Sequence, residues 1–211
     1  MTKLLIVRHG YSEYNHLKKL TGHKDIPLTP LGKEQALRTA EYVAKTYAVD
    51  AIYSSDLRRA MDTAMPLANA LGLPISPEKR LREIDVGVWE DQYIADVVKE
   101  YPEAYASYQK GGKIDGGESF FDVQIRALAA VEEIAKKHDG QTVFIATHGG
   151  VLRTLICAWK QIPIEKIATL PVVSNNSVTE IAYENGRFAI VALGIDEFLA
   201  DYKTVPAKNL Y

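Results

Sequence analysis

The stretch Lys3–Asn15, KLLIVRHGYSEYN, constrains this chain more than any other. Leu4 to Val7 form a continuous apolar run of the kind that makes a strand buried on both faces. Arg8, His9 and Gly10 follow at its end. An arginine and a histidine delivered to the edge of a core are costly unless something negative meets them. Either carboxylates of the chain itself satisfy the pair, or it awaits an anion from outside.

Two further stretches share the layout of an apolar run, then polar or glycine residues, then a helical pattern. They are DAIYSSDLRRAMDTA (50–64) and QTVFIATHGGVLRTLICAW (141–159). Short buried strands alternating with helices predict a parallel sheet in an α/β fold. LTPLGKEQALRTAEYVAKTY (28–47) opens with Thr29 as N-cap and Pro30 at the first helical position. Its apolar face is predicted from Leu37, Ala40, Val43, Ala44 and Tyr47. ESFFDVQIRALAAVEEIAKKHDG (118–140) has Ser119 and Asp122 in capping-box spacing and ends on Lys136, Lys137 and His138. SVTEIAYENGRFAIVAL (177–193) reads as a hairpin about Asn185–Gly186. The whole reads as one domain over 1–211 with a helical cap inserted at about 92–115, as YIADVVKEYPEAYASYQK followed by GGKIDGG.

In open α/β sheets ligands sit beyond the carboxyl ends of the parallel strands. The strand ends there carry Arg8–His9–Gly10, Ser54–Ser55 with Arg58 shortly after, and Thr147–His148–Gly149–Gly150. Two arginines and two histidines therefore converge near glycines and helix starts, whose backbone N–H groups add donors and partial positive charge. This describes a cup for a tetrahedral oxyanion such as phosphate, which the guanidinium fork suits. A cysteine with an arginine six positions on is excluded as nucleophile, since Pro163 occupies that place. GGKIDGGES lacks the ending of a P-loop, and no paired aspartates stand beside Val7 or Ile52. Histidine is left, whose neutral imidazole can attack phosphorus near neutral pH. His16 and His23 follow His9 at intervals of seven and read as solvated or rim residues rather than metal ligands.

Six blocks, RHGYSEYN, TGHKDIPLTPLGKEQA, YSSDLRRAMDTA, LREIDVGVWE, GGES and ATHGGVLR, occur in an order that resembles the histidine phosphatase superfamily, relatives of cofactor-dependent phosphoglycerate mutase. The resemblance runs from Leu4 to about Leu193. It implies a three-layer α/β/α sandwich with a mostly parallel central sheet, one antiparallel edge and a small cap insertion. It implies His9 as the nucleophile that becomes phosphohistidine. Arg8, Arg58 and His148 would grip the phosphoryl oxygens, with Asn15 and the Gly149 N–H as further donors. Glu83 would be general acid and then general base. Arg59, in the same helix as Arg58, reads as an ordinary solvated residue. Thr21–Gly22 matches the mutase pattern that meets a substrate carboxylate, whereas the segment from Trp89 to Gly116 lacks the mutase's paired arginines.

The resulting expectation is a metal-independent phosphomonoesterase acting on small phosphorylated metabolites. The alternatives are a phosphoglycerate mutase primed by 2,3-bisphosphoglycerate and a non-catalytic phosphoester-binding module. No cofactor is expected outside the mutase case. The net charge of −2 gives no sign of a nucleic-acid or membrane partner, and the single cysteine, Cys157, excludes a disulfide framework and suggests a cytoplasmic setting. The hairpin edge near Ser177–Leu193 offers a pairing surface for a homodimer.

Overall fold

The computed structural model describes residues 1–204. The opening apolar run lies in β1 (Thr2–Arg8), whose side chains alternate between two cores. Leu4 and Ile6 pack with α6 (Phe120–Lys137) and α7 (Gly149–Trp159). Leu5 and Val7 face the other way, onto α2 (Pro30–Thr46), which follows the short α1 (Glu13–Leu17), and onto α3 (Arg58–Leu71). All four are fully buried, at roughly 1.5–3 kcal/mol of transfer free energy each. Helices on both faces of one sheet give the three-layer sandwich expected.

The six strands run in the order β3-β2-β4-β1-β5-β6, with β2 at Ala51–Ser54, β3 at Ile75–Pro77, β4 at Thr142–Thr147, β5 at Val178–Glu184 and β6 at Arg187–Ile195. β3, β2, β4 and β1 are mutually parallel, while β5 and β6 form the antiparallel edge. Asn185 and Gly186 turn the hairpin with φ of 50° and 77°, both left-handed as a type I′ turn requires. The strand β3 was not anticipated, because three residues ending in proline carry no periodicity. The register sets Arg8 opposite Thr147 and Ser54 opposite Ala146. The carboxyl ends of β1, β2 and β4 thus finish at one level, and the loops that leave them are brought side by side.

Helix starts follow the sequence closely. The Thr29 hydroxyl accepts from the Gly32 N–H, and Ser119 and Asp122 form a reciprocal capping box. The buried face of α2 differs from expectation. It is made of Gln35, Ala36, Thr39, Ala40 and Val43, whereas Leu37 is 49% exposed and Ala44 is also outside. Polar residues displaced the predicted stripe: Gln35 accepts from the Tyr11 N–H, and the Thr39 hydroxyl donates to the Asn176 carbonyl.

Two short helices, α4 (Ile94–Glu100) and α5 (Pro102–Gln109), occupy the anticipated cap segment. Tyr105 and Tyr108 are buried against Trp89, with ring centroids 6.2 Å and 5.8 Å from it, while Tyr93 and Tyr101 are exposed. Among the described residues, no helix is long and apolar enough to cross a membrane.

Candidate active site

His9 comes directly after β1 and is 2% exposed. Its Nδ1 lies 2.7 Å from the Gly10 carbonyl oxygen. A carbonyl can only accept, so Nδ1 carries the proton and Nε2 keeps its lone pair. His148, at the end of β4, is fully buried, with its ring centroid 5.2 Å from that of His9. Its Nε2 contacts the Ser55 hydroxyl at 2.8 Å, while its Nδ1 has no hydrogen-bond partner among the described residues. Burial pushes the His9 pKa well below 6.5; the guanidinium groups of Arg59 and Arg8 add to this, against the opposing pull of the Gly10 carbonyl. Burial, then Arg59 and His9, likewise depress His148. Both imidazoles are therefore neutral at pH 7.

Arg8 is 1% exposed; its Nη1 donates to the Val173 carbonyl at 2.7 Å, and its Nε has no partner among the described residues. Arg8 Nε and His148 Nδ1 are thus two buried polar atoms at the ends of the adjacent strands β1 and β4, the kind of group that calls for a partner.

The second arginine is Arg59, which corrects the expectation placed on Arg58. Arg59 is 1% exposed and donates to the carbonyls of Lys24 at 2.9 Å and Gly22 at 3.0 Å. It shares the inward face of α3 with Ala60, Thr63, Ala64 and Leu67. Arg58 stands about 100° further round the helix. Its side chain is 58% exposed, with Nε 3.5 Å from Asp62, and its N–H donates to Asp25.

Glu83, 4% exposed, reaches the same concavity from the loop after β3. Its carboxylate accepts from the Ile84 N–H at 3.0 Å and the Gly150 N–H at 3.2 Å. A Cβ at position 150 would lie 2.3 Å from Glu83 Oε1, so glycine there is what lets the Glu83 carboxylate stay where it is. Behind Glu83, Arg126 of α6 donates to the carbonyls of Arg80, Arg82 and Glu83 at 2.8, 2.7 and 2.9 Å, and holds Glu118 with two more bonds. His23 also donates, through Nε2, to the Glu83 carbonyl at 2.8 Å. That residue therefore braces the loop of Glu83 instead of standing free in solvent.

Asn15 and Thr21 line the concavity with His9, Arg59 and Glu83. The Oδ1 of Asn15 accepts from the Ser12 N–H and from Asn175 Nδ2, both at 3.2 Å. Gly22, with φ of 50°, gives its carbonyl to Arg59. Gly149 opens the eleven-residue helix α7 beside His148. Sequence reading missed Arg126 and Asn175, and it placed Ser55 on this edge without identifying its contact to His148. Asn175 also donates to the His9 carbonyl at 2.8 Å, and its only signal was the polar run SNNS before a strand. Among the described residues, no three His, Cys, Asp or Glu side chains are grouped to hold a metal ion.

Residues 4–196 match the profile of the histidine phosphatase superfamily (branch 1). Phosphoserine phosphatase 1 of Hydrogenobacter thermophilus is 33% identical over 205 residues, 96% of each chain. A glucosyl-3-phosphoglycerate phosphatase of Mycolicibacterium vanbaalenii is 34% identical over 85% of this chain and 84% of its own. The solved structure of Bacillus stearothermophilus YhfR superposes with a TM-score of 0.90 at 34% identity, over 94% of this chain and all of that one. With a profile match over nearly its whole length and relatives named as phosphatases, the chain belongs to the histidine phosphatase superfamily and is an enzyme of its phosphatase type.

Proposed function

We propose that the protein is a metal-independent phosphomonoesterase that hydrolyses small phosphorylated metabolites through phospho-His9. The observation that carries this is the His9–Gly10 hydrogen bond, which fixes the tautomer with the Nε2 lone pair free. In the first step that lone pair attacks phosphorus and the ester P–O bond breaks. Glu83 gives its proton to the departing alkoxide. In the second step water attacks the phosphorus of phospho-His9, the P–N bond breaks and Glu83 takes the water's proton. Inorganic phosphate leaves and His9 is restored.

Arg8, Arg59, His148, the Asn15 amide and the Gly149 N–H are the groups suited to the three non-bridging oxygens, whose charge phosphoryl transfer has to stabilise. Fixed guanidinium groups supply the positive charge, so the proposal requires no divalent cation. The names of the relatives, phosphoserine phosphatase and glucosyl-3-phosphoglycerate phosphatase, support a small phosphorylated metabolite as substrate.

The test is a phosphate-release assay with excess chelator, combined with acid-labile trapping of labelled enzyme. Wild type is expected to turn over unchanged with chelator and to trap label, and His9→Ala to do neither. Full hydrolysis by His9→Ala would overturn the mechanism. Isomerisation of 3-phosphoglycerate faster than phosphate release would replace it with the mutase reading.

A further inference from the structure

The concavity that holds His9 and Glu83 has a cation at its outer end that the proposed chemistry does not use. Lys19 lines it, with its side chain 19% exposed. Its Nζ sits 5.3 Å from the ring centroid of Tyr14 and 4.9 Å from that of Tyr93, so two aromatic faces hold the ammonium in place. Asp91 pairs with it at 2.8 Å and keeps it protonated above the ordinary lysine range. That bond uses one of the three ammonium hydrogens. The same Asp91 oxygen also accepts from the Tyr14 hydroxyl at 2.6 Å. Asp91 therefore keeps a donor if the ammonium turns toward a ligand. Leu20, Val86, Ile94 and Tyr108 supply apolar wall to the same concavity.

We propose that Lys19 is a specificity-determining residue that receives a second anionic group of the substrate, a carboxylate carried on the phosphomonoester, with Asp91 as its resident competitor. The assignment rests on the phosphatase reading of the inner end and deepens it. Thr21, two residues on, offers a neutral hydroxyl at the same wall; Lys19 offers the charge. Asp91 is the partner that the ammonium holds when no substrate is bound, so specificity is set by exchange between two carboxylates.

The experiment compares 3-phosphoglycerate with glycerol 3-phosphate, which has the same carbon chain with a hydroxymethyl in place of the carboxylate. Calorimetric Kd values are measured in a His9→Ala background, so that binding is read apart from turnover. With Lys19 intact, 3-phosphoglycerate is expected to bind ~10–100-fold tighter, the range for a hydrogen bond to a charged group. Lys19→Gln should collapse that ratio to near unity while leaving glycerol 3-phosphate unchanged and lowering the melting temperature only slightly, as loss of an exposed ion pair does. Lys19→Arg should restore most of the ratio. Asp91→Asn, which keeps an acceptor for Tyr14 and tolerates the φ of 68°, should widen it by roughly two- to fivefold, as a half-exposed competing ion pair would. Equal weakening of both ligands by Lys19→Gln would make Lys19 a structural brace and overturn the proposal. An unchanged ratio would do the same. Phosphate release by His9→Ala in the calorimeter would instead overturn the phosphohistidine reading and leave the Lys19 ratio standing.

Discussion

The floor of the cup and its rim handle charge in opposite ways. At the floor, Arg8 and Arg59 are each 1% exposed, and their guanidinium groups are bonded to main-chain carbonyls of Val173, Lys24 and Gly22. A carbonyl satisfies a donor without cancelling its charge. At the rim, Lys19 pairs with Asp91, Arg82 with Asp56, and Arg126 with Glu118. Those pairs are close to neutral. The floor cations are thus held by main-chain dipoles, with the Glu83 carboxylate beside Arg59 in the same concavity, where water is excluded and an electrostatic contact is strongest. The rim balances charge where solvent would screen it anyway. Two neutral histidines complete the floor, because burial and Arg59, joined at His9 by Arg8, keep a second proton off them.

The contrast is broken most severely by removing a floor cation. Arg59→Ala should lower kcat for phosphate release by about 10²–10³-fold, the cost of losing one preorganised oxyanion donor. Arg58→Ala, one residue away but solvated, should change kcat by less than about twofold, as surface substitutions usually do. Steady-state kinetics of the two variants side by side decide it; a loss of equal size at both positions would refute the placement of Arg59.

Arg126 belongs to the rim by charge balance yet reaches inward to three carbonyls of the Glu83 loop. It is a positioning residue for the proton donor. Arg126→Gln should cost roughly 10–100-fold in kcat for an alkyl phosphate, a part of the ~10²–10⁴-fold that general acid–base catalysis supplies, since Glu83 itself remains. The loss should be clearly smaller for p-nitrophenyl phosphate, whose leaving group departs without a proton. A loss independent of the leaving group would assign Arg126 to general stability instead.

How legible all this was in the sequence depended on what each residue leans on. The apolar run of β1, the hairpin at Asn185–Gly186 and the helix starts at Thr29 and Ser119 are local, and periodicity or capping chemistry reveals them. The meeting of His9 with His148 came from placing strand ends on one edge. The choice between Arg58 and Arg59 did not, because it hangs on a phase of about 100° in α3. The stripe of Ala60, Ala64 and Leu67, with Thr63 beside it, carried that phase and would have pointed to Arg59. Arg126 and Asn175 act on main-chain carbonyls distant in sequence, and nothing local marks such partners.

The neutral histidines make a smaller, pH-dependent prediction. The acid limb of kcat/KM, which reports the free enzyme, should lie below pH 6.5, since burial, with Arg59 and Arg8 adding to it, depresses the pKa of His9. Arg59→Met should move that limb upward but leave it short of 6.5, because burial is the larger cause and remains. Stability carries the same sign. The unfolded chain binds protons at these histidines near pH 6.5 while the folded protein does not. Their contribution is complete above that pH and lost as the pH falls toward the folded values. A limb at or above 6.5 in wild type would contradict a neutral resting pair.

The smallest effect belongs to the rim, at the bidentate pair of Arg82 with Asp56, both contacts 2.6 Å. Arg82 is bonded closely enough to hold the Asp56 carboxyl below its usual 3.8. A depressed carboxylate stabilises the fold above its unfolded pKa, and the contribution fades as the pH drops through the folded value. Solvent reaches both side chains, so the pair is worth only ~0.2–1 kcal/mol. Asp56→Asn should therefore lower stability by that amount at pH 7, by less at 0.5 M salt, and by nothing once the pH is below the folded pKa. The kcat should stay where it was. Denaturant titrations at two salt concentrations read the effect directly. A large, salt-insensitive loss would mean that Asp56 sits in the low-dielectric floor after all, and the division between carbonyl-held cations inside and paired charges at the rim would need redrawing at that residue.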